Sequence, residues 1–263
     1  MKLTAKKKHY RKFSKNWKLP FFLTVLCYSL TSTATIKAET INTTILFQPP
    51  PESEQPDNTD SAASRSGTLD GNKQCFQDFV TNQDQKSTAI NQSIIPIVPK
   101  ENYGLTLKER PTFWVYLPKT SAQQIILSVR EEGAKPHWQQ SINLTNESGI
   151  IGIKLAEDAP VLEVGKNYQW AVVLVCENRP NPNDPVVTSW IKRIDKSSVD
   201  SSQIASSELK KAANYAEKGI WYDALDILIT EKSSIDNWQN VWSEYLQSGG
   251  LTEIANEPII NNK

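Results

Sequence analysis

The sequence has few of the side chains that carry most hydrolytic and metal chemistry. It holds two histidines, three cysteines and one methionine in 263 residues. A Ser-His-Asp or Cys-His site in the body of the chain would have to use His137. That residue sits between Pro136 and Trp138 at an expected strand start, where a surface histidine is the simpler reading. There is no G-x-S-x-G elbow, H-E-x-x-H pair, phosphate loop or G-x-G-x-x-G fingerprint. No cofactor, metal or catalytic residue is therefore assigned. A carboxylate pair needs no motif, and Glu101, Glu109, Glu131, Glu132, Glu157, Asp158 and Glu163 are all available, but nothing singles out two of them. Long apolar runs are also missing. The longest, Leu19–Leu30, is about 12 residues, short of the ~20 a spanning helix needs. With 38% hydrophobic and 22% charged residues, the chain is neither collagen-like nor wholly disordered.

Acidic residues are absent from positions 1–38, which carry nine Lys and Arg. The formal charge of zero hides this asymmetry: the remainder has 20 basic against 29 acidic residues, a net of −9. The basic block, the apolar run and the small-residue stretch ending at Ile36-Lys37-Ala38 form a three-part secretory signal. Cleavage is expected between Ala38 and Glu39, with a site after Ala34 as the alternative. An uncleaved N-terminal anchor is the competing outcome. Either way the chain is expected in the periplasm or cell envelope. The residue before Cys27 is Leu26, where a lipoprotein signal needs a small one. The acidic remainder argues against nucleic acid, since it would repel phosphates.

Past the signal, two cysteines remain, Cys75 and Cys176. In an exported protein they are most simply a disulfide; two separate buried thiols are the alternative. Residues 39–73 have the composition of a linker, with a Pro49–Asp60 stretch free of apolar residues other than proline. Such a segment cannot bury enough surface to offset its ordering entropy.

From about 86 to 195 the hydrophobic pattern has period two, within a β-sandwich expected over 74–196. Trp138, Gln140, Ile142 and Leu144 alternate with Gln139, Ser141 and Asn143. Pro111–Pro118 and Trp170–Cys176 are apolar on both faces and read as central strands. About seven strands at this turn spacing predict an immunoglobulin- or fibronectin-like antiparallel β-sandwich. Leu162-Glu-Val-Gly-Lys-Asn-Tyr168 resembles the tyrosine corner of such domains.

From 197 to 258 the period becomes helical, and a C-terminal α-helical hairpin packed on the sandwich is expected. Trp221, Ala224, Leu225, Leu228 and Ile229 form one stripe; Trp238, Val241, Trp242, Tyr245 and Leu246 form another. Asp236 is placed to cap the last helix, which Gly249-Gly250 ends. Ala212-x-x-Tyr215-x-x-x-Gly219-x-Trp221-x-x-Ala224 resembles one tetratricopeptide-type helix pair, without a second copy. Lys210 and Lys218 are the candidate partner-surface residues. Trp138 is the candidate glycan contact, and the Trp114/Tyr116 face is a weaker one that helices or a strand would cover.

Six blocks occur in order: Gly104–Pro118 with its Arg110-Pro-Thr-Phe-Trp core, Leu162-x-x-Gly-x-x-Tyr-x-Trp170, Cys176, Trp190-Ile-Lys-Arg-Ile194, Tyr215–Leu225 with Gly219-Ile-Trp-Tyr-Asp223, and Gly250–Ala255. Together they resemble a cyanobacterial family designated domain of unknown function 928, over roughly 75–258. The resemblance implies an exported two-part protein and carries over no activity, cofactor or catalytic residue. The functional expectation is a non-catalytic interaction module with an envelope protein partner. The alternatives are a carbohydrate- or cell-wall-binding sandwich and a polysaccharide hydrolase using a carboxylate pair.

Overall fold

The computed structural model describes residues 44–51, 55–56, 75–76, 93–135, 137–145, 147–199 and 207–260. All belong to one unit, Asn42–Lys263. The signal and its Ala38/Glu39 cleavage site lie outside the described residues.

The fold is mainly β with α. The described residues form nine strands: β1 Ile95–Pro96, β2 Tyr103–Thr106, β3 Thr112–Leu117, β4 Gln124–Glu131, β5 Trp138–Asn143, β6 Gly149–Lys154, β7 Asn167–Val175, β8 Val186–Arg193 and β9 Ile259–Ile260. Three helices follow β8 in sequence: α1 Glu208–Glu217, α2 Trp221–Thr230 and α3 Trp238–Ser248. One sheet has the order β1-β3-β6-β9 and the other β2-β8-β7-β4-β5.

The period-two pattern explains the register. In β4 and β7, Ile125, Leu127, Val129 and Trp170, Val172, Leu174 turn inward and are buried. In β3 the inward set is Phe113, Val115 and Leu117. Phe113 meets Trp170 across the sheets, with ring centroids 5.1 Å apart. The inner faces thus share one core. The pairings are not all antiparallel, as the alternation had suggested. β2 runs parallel to β8, and β9 parallel to β6. Both added strands are short, and their pairing depends on residues far away in sequence, which local alternation does not reveal.

Tyr168 behaves as the corner motif requires: its hydroxyl accepts from the Glu163 N–H at 3.0 Å. The two cysteines are joined, Cys75 to Cys176, across a separation of 101 residues. The Cys75 carbonyl accepts from Thr120 Oγ1 and the Ser121 N–H, so the bridge is seated on the β3–β4 connection.

The helices cover the open side between the sheets. Tyr222 is the wedge: its hydroxyl accepts from Trp170 Nε1 at 2.8 Å and donates to the Trp190 carbonyl at 3.2 Å. Its ring lies edge-on to Phe113. Trp221 stacks on Tyr245 of α3 and donates to the Ile97 carbonyl. Gly219 and Gly250, both at positive φ, close α1 and α3 with paired carbonyl-capping bonds: Ile220 N–H to Tyr215, Leu251 N–H to Leu246. The start of α3 differs from expectation. Its cap is Asn237, in the left-handed region at φ 55° and without a side-chain capping bond. Asn tolerates that conformation better than most residues, and it displaces Asp236 from the capping position.

Part of the expected linker is packed. Ile45 and Phe47 are buried. The Gln48 N–H donates to the Ala216 carbonyl and the Phe47 N–H to Ser248 Oγ. Phe47 meets Trp221 edge-on at 4.9 Å. Residues 44–51 therefore form a strap across the helices. Residues 52–54 and 57–74 of the expected linker lie outside the described residues.

Candidate functional site

A cavity of about 730 Å³ opens beside α1, where four parts of the chain meet. The β2–β3 connection contributes Leu107, Lys108, Glu109 and Arg110. The end of β8 and the 3-10 turn after it contribute Arg193, Lys196 and Val199. Lys211 and Tyr215 come from α1, and Asp223 and Ile227 from α2.

Two α2 carboxylates hold this arrangement, spaced i, i+3 on one face. Asp223 Oδ2 accepts from Thr106 Oγ1 at 2.7 Å and from the Leu107 N–H at 3.0 Å. Asp226 accepts from Lys108 Nζ at 2.6 Å, Thr112 Oγ1 at 3.2 Å and Trp114 Nε1 at 2.5 Å. Together they fasten the β2–β3 connection to α2. Burial raises the Asp223 carboxyl above its ordinary 3.8, against the Thr106 and Leu107 hydrogen bonds and Lys108, which lower it.

The cavity wall is cationic, although residues 39–263 carry a formal net of −9. Lys108, Arg110, Arg193, Lys196 and Lys211 face two lining acids, Glu109 and Asp223. Counting Asp226 and Glu208, which pair with Lys108 and Lys211, the cations still exceed the acids. Each arginine donates to a backbone carbonyl. Arg110 Nη1 donates to the Ala156 carbonyl and Arg193 Nη1 to the Leu162 carbonyl, both at 2.7 Å. Arg193 Nη2 is 3.8 Å from Glu109 Oε2, and its buried Nε has no hydrogen-bond partner. Arg193 is thus paired at long range with Glu109, and the wall keeps a small excess of positive charge.

The other candidates fall around this site or away from it. Lys210 and Lys218 are both exposed, at the start and the C-cap of α1. Lys218 also borders a second depression of about 420 Å³ that shares Val199 with the first. Trp138 lies on the outer strand β5, opposite Val129, half-buried against the core. His137 is exposed. Tyr116 is buried and Trp114 half-buried, with its indole committed to Asp226. Among the surface carboxylates, Glu131 and Glu163 share Lys166, and Glu132 accepts from Asn167. Sequence reasoning missed the cavity because its cations lie on three stretches far apart in sequence.

No curated protein and no solved structure matches the chain. A family model described as Domain of Unknown Function (DUF928) matches residues 61–259, beginning upstream of Cys75. The chain belongs to this family.

Proposed function

We propose that this protein is a non-catalytic binding module of the periplasm or cell envelope, with its binding surface on the α1 side. The observation that carries this reading is the cation-walled cavity in a part of the chain, residues 39–263, whose formal net charge is −9. The Asp223 and Asp226 carboxylates beside it are engaged in holding the β2–β3 connection, which favours binding over acid–base work. Export is supported by the three-part N-terminal pattern and by the disulfide, since such bonds persist in oxidising compartments. The architecture fits an immunoglobulin-like sandwich with an edge-docked helical hairpin. The pairing of β3 with β6, and of β7 with both β4 and β8, is the strand order such sandwiches use.

Lys210→Glu and Lys218→Glu test the surface, because both side chains are exposed and removable without disturbing the core. Cross-linked capture from the native envelope should recover a dominant protein partner, and each substitution should weaken that capture. Unchanged capture by both variants would move the interface elsewhere. A second reading, glycan binding by the sheets, rests on the half-buried indole of Trp138 on an outer strand. It requires Trp138→Ala to lose glycan retention while its melting curve stays cooperative.

A further inference from the structure

We propose that the α1-side cavity binds an acidic saccharide, a sugar whose carboxylate, sulfate or phosphate oxygens pair with Arg110, Arg193 and Lys196. This rests on the reading of that surface as a binding site and names its ligand. Three features of the wall select the class.

The first is charge. Guanidinium groups suit planar or branched oxyanions because they present forked donors. Here both arginines donate to backbone carbonyls, Arg193 also lies 3.8 Å from Glu109, and the lining still holds more cations than acids. The buried Nε of Arg193 has no hydrogen-bond partner among the described residues. The second is size. About 730 Å³ lies within the range of ordinary small-ligand sites and is far more than one bare ion fills. The third is the remaining lining. Leu107, Val199, Ile227 and Tyr215 give an apolar strip beside the cations. A ligand that matches both must carry charged oxygens on a skeleton with C–H faces. An acidic sugar ring has that combination, whereas an inorganic anion leaves the strip uncovered.

The test uses the complete mature chain with its disulfide intact. Calorimetric titrations with a galacturonate trimer, a sulfated disaccharide and glucose 6-phosphate are compared with the neutral cellotriose and with inorganic phosphate. At least one acidic sugar should bind at least tenfold more tightly than cellotriose and inorganic phosphate, and more weakly as salt rises. Lys196→Glu is the first variant, because Lys196 is exposed and its side chain is not part of the core. It should weaken that binding by about tenfold or more, as reversal of a contacting charge does. Arg110→Gln is the second and should also weaken it.

Acidic sugars that bind no better than cellotriose overturn the proposal. So does an acidic sugar whose affinity neither variant changes, since its site is then elsewhere. Tighter binding of inorganic phosphate than of every sugar overturns the saccharide assignment and leaves a simple anion site. Failure here with protein capture still sensitive to Lys210→Glu removes the ligand class alone. Loss of both removes the binding surface.

Discussion

Asp223 and Asp226 do different work although they are three residues apart. Asp226 satisfies three donors, including the Trp114 indole. Its Lys108 partner is 46% exposed, so that ion pair contributes little through charge alone. The cost of Asp226→Ala comes from the orphaned indole and threonine, about 3 kcal/mol, measurable by denaturant unfolding. Asp223 is buried with a carboxyl shifted upward, chiefly by desolvation. A carboxyl raised in the fold contributes stability that is fully present below its ordinary value of 3.8 and lost as pH rises through the raised value. Asp223→Asn keeps an acceptor for Thr106 and Leu107 and removes the buried charge. It should match or exceed the wild type at neutral pH, and the two should converge on acidification. A variant less stable than wild type at neutral pH would contradict this. Tyr116 has the same sign at the other end of the scale. Burial and Glu257 raise it from 10.0 to about 12, so its contribution is lost as pH climbs through that interval.

Among elements, the strap is the clearest departure from composition. Ile45 and Phe47 alternate over only four residues before a proline-rich tract, too short a signal to register as structure. Their burial comes from a groove made by α1, α2 and α3, which no local pattern announces. Phe47→Ala should cost about 3–4 kcal/mol, the range for a buried aromatic. Gly219→Ala should release the strap as well. Gly219 has φ +74°, and an added Cβ would lie 2.8 Å from Pro50 Cδ. Limited proteolysis should then cut near residue 44 in the variant and not in the parent. The long central strands β3 and β7 were legible because their segments are apolar on both faces, with Phe113, Val115, Trp170 and Val172 buried in the core. β2 was not, since Tyr103–Thr106 is buried throughout and shows no alternation. The close approach of Trp221 to Gly104, where a Cβ would sit at 2.9 Å, is visible only in three dimensions. Lys210 and Lys218 do not line the cavity, and its Arg110 and Arg193 come together only through folding.

At the scale of the whole molecule, the blocks that carry the family resemblance meet each other. Phe113 meets Tyr222 and Thr106 meets Asp223, while Asp226, just past the helical block, takes Thr112 and Trp114. They weld the helices to the open side of the sheets and so fix the shape of the cavity. The Cys75–Cys176 bridge closes a loop across a separation of 101 residues that contains β2 and β3. In the chain-entropy account, a loop of that length is worth about 4–5 kcal/mol. Reduction should lower the melting temperature markedly without changing the strand content of the remaining fold.

The most direct measurement is unreduced mass spectrometry of the C-terminally tagged protein, cross-linked and recovered from its native envelope. The account predicts an N-terminus at Glu39, an intact Cys75–Cys176 peptide, and cross-links from Lys196, Lys210 or Lys218 to another envelope component. Recovery from the cytosol with Met1 in place and both thiols free would contradict it.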